Sequence, residues 1–201
     1  MEDKIKVIKD YIPDAAIPLL INYLKYWEFN LVIVKNRNTK HGDFRMLSEG
    51  VHQISVNNSA NPYRFLITII HEIAHLVAFK DFGYFIKPHG KEWKSCYQKL
   101  ITPFLKPEIF PQKLLDLLVH HFKNPKASTD SDFNLVIELN KFDPETEKKY
   151  IFELDLGTIF EIHNSRKFVL GSMRKKRYEC KEILTQRKYL FSPHAQVKKV
   201  K

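Results

Sequence analysis

The sequence predicts an α+β fold, in which helices and a small sheet are followed by a small antiparallel β module. Two observations indicate this class. Apolar residues recur at helical spacing in four segments before residue 124, and after it their period changes to two. A hydrophobic content of 44% supports a folded protein. We expect residues 1–123 to form the first domain and residues 132–201 to form the basic C-terminal β module.

The first predicted elements are one helix and the strands of the small sheet. "LVIVK" (31–35) and "HQISVN" (52–57) are typical of strands, and "HGDFR" (41–45) between them predicts a turn and a short strand. The helix precedes them, has Pro18 in its first turn, and carries apolar side chains at helical spacing at Ile17, Leu20, Ile21, Leu24 and Trp27.

Three more helices are predicted before the β module. Asn61 is a suitable N-cap, Pro62 suits the first helical position, and Gly83 lies just beyond the expected end of that helix. The next two helices are predicted over Lys91–Ile101 and Pro111–Phe122. Together with the preceding strands, these helices complete the first domain.

The β module begins after a polar stretch, "NPKASTDSD" (124–132), which indicates a linker or long loop. Alternation of apolar and polar residues then predicts strands over 133–139 and 150–156. Further short strands are predicted at "GTIFEI", "RKFVLG", "RYEC" and "KYLF".

Composition excludes several classes of protein. The chain has two cysteines, Cys96 and Cys180, which excludes a disulfide framework and a four-cysteine zinc ribbon and fits a reducing compartment. The first residues lack the apolar run of a signal peptide, and no segment has the roughly 18 apolar residues of a membrane helix. We expect a cytoplasmic monomer without membrane association, nucleoid-associated if the source is bacterial.

The net charge of +10 is confined to the C-terminal segment. Residues 163–201 hold 12 Lys and Arg against two acids, Glu179 and Glu182, whereas residues 1–162 are neutral. Such asymmetry suggests a polyanionic partner, with nucleic acid the leading candidate. The alternative is a basic surface that serves solubility.

The segment "FLITIIHEIAHLVAF" (65–79) is apolar except at four positions. Their spacing of i, i+3, i+4 and i+7 places them in one stripe of a buried helix. Because unpaired buried polar groups cost roughly 1–3 kcal/mol each, the stripe needs partners. A metal ion and a water would satisfy its ionisable members together; the four residues are Thr68, His71, Glu72 and His75.

His71, Glu72 and His75 form an H-E-x-x-H pattern. Residues four apart on a helix project in nearly the same direction, so both imidazoles can bind one zinc ion. Glu72 then lies beside the metal, where a carboxylate can take a proton from a water that zinc has acidified. A structural zinc site is the alternative, but it leaves the glutamate without a role.

A catalytic zinc site needs a third protein ligand and one open position. The extended pattern H-E-x-x-H-x-x-G-x-x-H does not continue here, because Ala78 and Asp81 stand where it requires glycine and histidine. Two candidates lie in "KPHGKEW" (87–93). They are His89, which precedes Gly90 and opens the next helix, and Glu92.

The motif helix followed by "HGKEW" (89–93) resembles the SprT-like (Spartan-type) family of zinc metalloproteases. The family combines H-E-x-x-H with a later H-G pair and an aromatic residue three positions after that glycine, which is Trp93 here. Upstream, "HGDFR" and "HQISVN" resemble the family's G-x-aromatic turn and the strand before the motif helix. The resemblance covers residues 17–101. It implies a zincin-like metallopeptidase domain with one zinc, Glu72 as the general base, and the ligands His71, His75 and His89.

Many SprT-like proteins carry a cysteine zinc ribbon after the protease domain, and this chain has only Cys180 there. We interpret the β module as a cysteine-poor counterpart. Its charge predicts DNA binding without sequence specificity, through Arg174, Lys175, Lys176, Arg177, Arg187 and Lys188. Its aromatic residues would either stack on unpaired bases or form the core of the module; they are Tyr178, Tyr189 and Phe191.

The expected function is therefore a zinc-dependent endopeptidase that acts on DNA-associated or DNA-crosslinked proteins in DNA repair. One alternative is a nucleic-acid-binding regulatory protein with a non-proteolytic or structural zinc site. Another is a zinc hydrolase of a non-peptide substrate, for which the cleft would be a small closed pocket.

Overall fold

The computed structural model describes residues 7–37, 39–144 and 147–200. The chain is a mixed α+β protein with two compact units, Met1–Pro144 and Glu145–Lys201. The division falls later than the linker expected at 124–132, because those residues belong to the first unit. In the described part of the chain, we find no helix with both the length and the apolar character needed to span a bilayer.

The first unit contains a three-stranded sheet and α-helices, five of which lie entirely within the described residues. In the order β1-β3-β2, β1 runs parallel to β3 and β2 runs antiparallel to it. The elements are α1 (Ile17–Tyr26), β1 (Asn30–Val34), β2 (Gly42–Ser48), β3 (Val51–Asn57), α2 (Pro62–Phe82), α3 (Lys91–Ile101), α4 (Gln112–Phe122) and α5 (Phe133–Asn140).

The central element of this unit is α2, which packs against β2, β3 and α3. The Asn61 side chain accepts a hydrogen bond from the Arg64 backbone N–H at 3.1 Å, Pro62 occupies the first turn, and Gly83 ends the helix at φ 77°. These predicted boundaries are confirmed. The apolar faces of α2 are buried at Leu66, Ile69, Ile70, Ile73, Ala74 and Leu76.

The strand predicted over 133–139 is wrong, since these residues form α5. Their apolar residues fit the strand period of two as well as the helical period. In the structure, Leu135, Val136 and Leu139 are buried together at the helical spacing i, i+1 and i+4. Asp132 caps the helix by accepting from the Leu135 N–H at 3.4 Å. The cap and packing against α4 outweigh the β propensity of the segment.

The second unit is a six-stranded sheet in the order β4-β9-β5-β6-β7-β8, with antiparallel neighbours throughout. The strand expected over 150–156 is largely wrong, because a 3₁₀ turn at Ile151–Glu153 follows β4. The strands are β4 (Lys148–Tyr150), β5 (Ile159–Glu161), β6 (Lys167–Arg174), β7 (Arg177–Glu182), β8 (Lys188–Phe191) and β9 (Gln196–Lys199).

Candidate metal centre

Three imidazoles converge at one point of the first unit. His71 and His75 project from adjacent turns of α2, and His89 approaches them from the loop before α3. The Nε2 atom of His75 lies 3.2 Å from that of His71 and 3.1 Å from that of His89, and the third separation is 3.3 Å. Among the described residues, this is the group of histidine, cysteine and acidic side chains that could hold a metal ion.

A tight turn places His89. The Gly90 N–H donates to the Lys87 carbonyl at 2.8 Å, with Pro88 and His89 as the two central residues of the turn. His89 has φ 57°, which is the positive value that the second central residue of a type II turn requires. A Cβ on Gly90 would lie 2.8 Å from the Lys87 carbonyl oxygen, so glycine allows this turn to close. The sequence "KPHG" therefore directs the His89 ring toward α2.

The donor set fits a metal ion. Tetrahedral zinc with nitrogen bonds of roughly 2.0–2.1 Å places its ligand atoms roughly 3.3–3.4 Å apart. The observed Nε2 separations of 3.1, 3.2 and 3.3 Å are close to these values. The three nitrogens cannot satisfy one another, because a proton on one of them can be shared well with only one of the other two. A cation that accepted one lone pair from each nitrogen would satisfy all three imidazoles.

Burial keeps these imidazoles neutral. It lowers the pKa of His71 to about 2, with a further contribution from the other two histidines, and the pKa of His75 to about 4. Burial also lowers the pKa of His89. A neutral imidazole is the form that ligates metals, so the three side chains present available lone pairs at neutral pH.

Trp93 supports all three rings. It is fully buried in the first turn of α3, and its ring centroid lies 4.6–5.2 Å from those of His71, His75 and His89. One turn further along α3, Tyr97 contacts His71 and donates through its hydroxyl to the Ile67 carbonyl at 3.2 Å. The packing of α3 on α2 therefore limits the rotation of the histidine rings.

Glu72 lies beside the histidines and under β2. It is only 6% exposed, and the Phe44 backbone N–H donates to its carboxyl group. A Cβ on Gly42 would lie 2.5 Å from Glu72 Oε1 and 2.8 Å from Thr68 Cγ2. The absence of a side chain at Gly42 thus lets β2 approach the carboxyl group. Sequence reasoning gave Gly42 no role at the site, although the G-x-aromatic pattern was visible.

The surroundings of Glu72 favour its protonated form. Burial, reinforced by the nearby Asp43 carboxylate, raises the pKa of Glu72 to about 8. The charges of Arg37 and Lys40 act in the opposite direction and limit this rise. Glu72 is therefore a carboxyl group that exchanges a proton near neutral pH.

These groups open into a cavity of about 460 Å³. Its lining includes Arg37 and residues 39–44 near β2, as well as residues 127–130 from the stretch expected to be a linker. Asp130 anchors the latter stretch, because its carboxylate lies 2.8 Å from His41 Nε2 and 3.4 Å from Arg64 Nη1. Sequence reasoning missed this contribution, since the contacts join residues far apart in the chain.

Glu92, the other candidate third ligand, lies outside the histidine cluster. Its carboxylate is 3.8 Å from Lys91 Nζ at the start of α3. Of the two candidates, the structure brings His89 to the H-E-x-x-H pair.

The six cations expected to bind DNA lie in the second unit. The four from Arg174 to Arg177 form the tip of the β6–β7 hairpin, where Arg174 and Arg177 are cross-strand partners. Arg174 and Lys188 each form an ion pair of 2.8 Å with Glu179. Lys175 and Lys176 are exposed, and Lys175 has φ 55°. Arg187 is exposed immediately before β8.

The aromatic residues of this unit belong to its core. Tyr178, Tyr189 and Phe191 are half-buried and pack against the cluster that contains Phe160 and Phe168. The Phe191 ring lies 5.3 Å from Phe160 and 4.9 Å from Phe168. Of the two roles considered for these rings, the structure supports packing in the core rather than stacking on bases.

Comparison with known protein families finds a match within the first unit. The model of the SprT-like family matches residues 32–109, a range that contains all three histidines, Glu72, Gly42 and Trp93. This segment is therefore similar to the SprT-like family, which is associated with zinc metallopeptidase-type activity. No solved structure matches the chain.

The contact between Gly42 and Glu72 yields a test of the site. We expect Gly42→Ala to lower the free energy of unfolding by about 1–3 kcal/mol, because the new methyl group overpacks the space against Glu72 and Thr68. Denaturant unfolding measures this loss. In a Glu72→Ala background, which removes the two closest atoms, the same substitution should cost less. An equal loss in both backgrounds would show that Gly42 does not act through Glu72.

Proposed function

We propose that this protein is a zinc-dependent endopeptidase with a zincin-like SprT domain. The observation that carries the proposal is the convergence of three Nε2 atoms, 3.1–3.3 Å apart, beside a buried glutamate in one cavity. Structural zinc sites are closed by four protein ligands, whereas the described residues supply three here. This favours the peptidase over the alternative with a structural zinc.

His71, His75 and His89 would hold the zinc. When bound, zinc supplies a Lewis acid that polarises a peptide carbonyl and acidifies water. Glu72 would then act as the general base, because the positive charge of a bound zinc would favour its carboxylate form, which can accept a proton from water and return it to the leaving amine. The Phe44 N–H holds this carboxyl group, and Gly42 leaves room for it.

The cavity suits a protein substrate, whereas a hydrolase of a non-peptide substrate would be expected to have a small closed pocket. Its wall includes β2, an edge strand of the three-stranded sheet, together with the segment at 127–130. Cavities that bury drug-sized ligands span roughly 300–1,000 Å³, so about 460 Å³ suits a short stretch of polypeptide around one peptide bond.

We also propose that the second unit binds DNA without sequence specificity, so that the substrates are proteins associated with or crosslinked to DNA. The hairpin tip supports this proposal, because it presents four successive cations and sets Arg174 opposite Arg177. Like charges in directly opposed positions destabilise a hairpin. Glu179 pairs with Arg174 and offsets part of this repulsion, whereas Lys175 and Lys176 are exposed at the tip, where phosphate groups could pair with them.

The ligand assignment predicts metal content. We expect about one zinc per chain in the purified protein. His71→Ala, His75→Ala and His89→Ala should each reduce zinc to background, because two imidazoles hold the ion too weakly. Glu92→Ala should keep it, since that carboxylate lies outside the cluster. Elemental analysis decides between the ligands, and zinc lost from Glu92→Ala but kept in His89→Ala would overturn the assignment.

The general base is tested by Glu72→Gln. The amide is nearly isosteric but cannot accept a proton, so we expect cleavage of an unfolded protein substrate to fall by roughly 10²-fold or more. Zinc content and melting temperature should stay near those of the unchanged protein. Cleavage at the original rate by a folded, zinc-containing variant would exclude this role.

The DNA site is tested by charge reversal at the hairpin tip. Lys175→Glu with Lys176→Glu should weaken binding of a short DNA and flatten its salt dependence, since each phosphate contact contributes roughly 0.7–0.9 to the log–log slope. Fluorescence anisotropy over a salt series measures both effects.

The matched control is Lys106→Glu with Lys123→Glu, which changes the net charge equally at exposed positions of the first unit. Equal loss of affinity in both double variants would mean that net charge, rather than the hairpin tip, governs binding. Zinc content serves as the check that the first unit remains intact.

A further inference from the structure

Arg37 carries a positive charge on the cavity wall, and no carboxylate of the described residues neutralises it at short range. Its Nε donates to Asn57 Oδ1 at 2.8 Å, and its Nη1 donates to Ser55 Oγ at 3.1 Å. Both acceptors are neutral. Its Nη2 is buried and has no hydrogen-bond partner among the described residues. The guanidinium group, which has five donors, is thus only partly satisfied by the protein.

Nearby arginines are placed differently. Arg45 forms an ion pair with Asp43, and Arg64 lies 3.4 Å from Asp130 and 3.5 Å from Asp143. Asp43 lines the same cavity as Arg37, but Lys40 and Arg45 already occupy its carboxylate. Within the described part of the chain, Arg37 therefore has no carboxylate at ion-pair distance.

The position of Arg37 is fixed by a buried amide. Asn57 is 5% exposed, and its Nδ2 donates to the Arg37 carbonyl at 3.2 Å and to the Lys40 carbonyl at 2.8 Å. The Asn57 backbone N–H donates to the His41 carbonyl at 2.8 Å. One asparagine at the end of β3 thus holds both the backbone and the guanidinium group of Arg37.

We propose that Arg37 forms a carboxylate-binding subsite of the cleft and selects substrate segments with an Asp or Glu side chain close to the scissile bond. Arg37 lines the same cavity as Glu72 and the three histidines, so a group bound to it lies within a few residues of the reacting peptide bond. A carboxylate is the ligand that a guanidinium group binds most strongly, through paired charge-assisted hydrogen bonds. It would supply acceptors for the guanidinium donors that Ser55 and Asn57 leave unpaired. The inference rests on the proposed peptidase function.

Peptide binding to the Glu72→Gln protein tests the subsite without cleavage. Two fluorescent peptides with amidated C-termini differ only in one internal residue, Glu or Gln. A third carries the internal Gln and a free C-terminal carboxylate, which distinguishes a side-chain carboxylate from a terminal one. We expect the Glu peptide to bind roughly tenfold more tightly than the Gln peptide. The third peptide should bind with about the same affinity as the Gln peptide.

Variants assign this preference to Arg37. Adding Arg37→Met should abolish the difference between the Glu and Gln peptides, and Arg37→Lys should reduce it. Arg45→Met is the matched control, because Arg45 does not line the cavity and its loss should leave the preference intact. Retained preference in Arg37→Met, or lost preference in Arg45→Met, would overturn the assignment.

The comparison of the Glu and Gln peptides uses the Glu72→Gln protein with Arg37 unchanged. It therefore tests the subsite even if Arg37→Met does not fold. Equal binding of the Glu and Gln peptides, or no measurable binding of either, by the Glu72→Gln protein contradicts the subsite. Cleavage of an unfolded protein by the unchanged enzyme is measured separately. Absent cleavage together with a Glu preference would refute the peptidase function alone, whereas cleavage without a Glu preference would refute the subsite alone.

Discussion

The buried polar stripe of α2 is the constraint on which the rest of the first unit depends. Ile69, Ile70, Ile73 and Ala74 seal the neighbouring faces of the helix, so the stripe cannot turn toward bulk water. Each unpaired polar group left there would cost roughly 1–3 kcal/mol. The surrounding elements therefore bring partners to the stripe: the 87–90 turn brings His89, and β2 brings the backbone N–H of Phe44.

Burial shifts the pKa values of both the histidines and Glu72 at the proposed site. It lowers the pKa of the imidazoles, which keeps them neutral and able to ligate a metal. It raises the pKa of Glu72 to about 8, which suits a group that must accept and release a proton. The donor set and the candidate base thus follow from one enclosed site, because loss of solvation always disfavours the charged form.

The two units differ in how they use charge. In the first unit, cations near the cavity are mostly matched by carboxylates, as in the pairs of Asp43 with Lys40 and Arg45, whereas Arg37 has no carboxylate partner in the described part of the chain. In the second unit, Glu179 balances Arg174 and Lys188, whereas the lysines at the hairpin tip extend into solvent. Its aromatic rings fill a small core, which leaves electrostatics as the basis of the proposed contact with DNA.

The motif helix and its two histidines could be predicted from the sequence, because capping residues and the i, i+4 spacing are local properties of the chain. It left the third ligand open between His89 and Glu92, and family resemblance favoured the former. Three further features became evident only in the folded protein: Gly42 lies against Glu72, residues 127–130 line the cavity, and residues 133–139 are helical. Each of these depends on contacts between distant segments, and where a short apolar run fits both periods, packing selects the conformation.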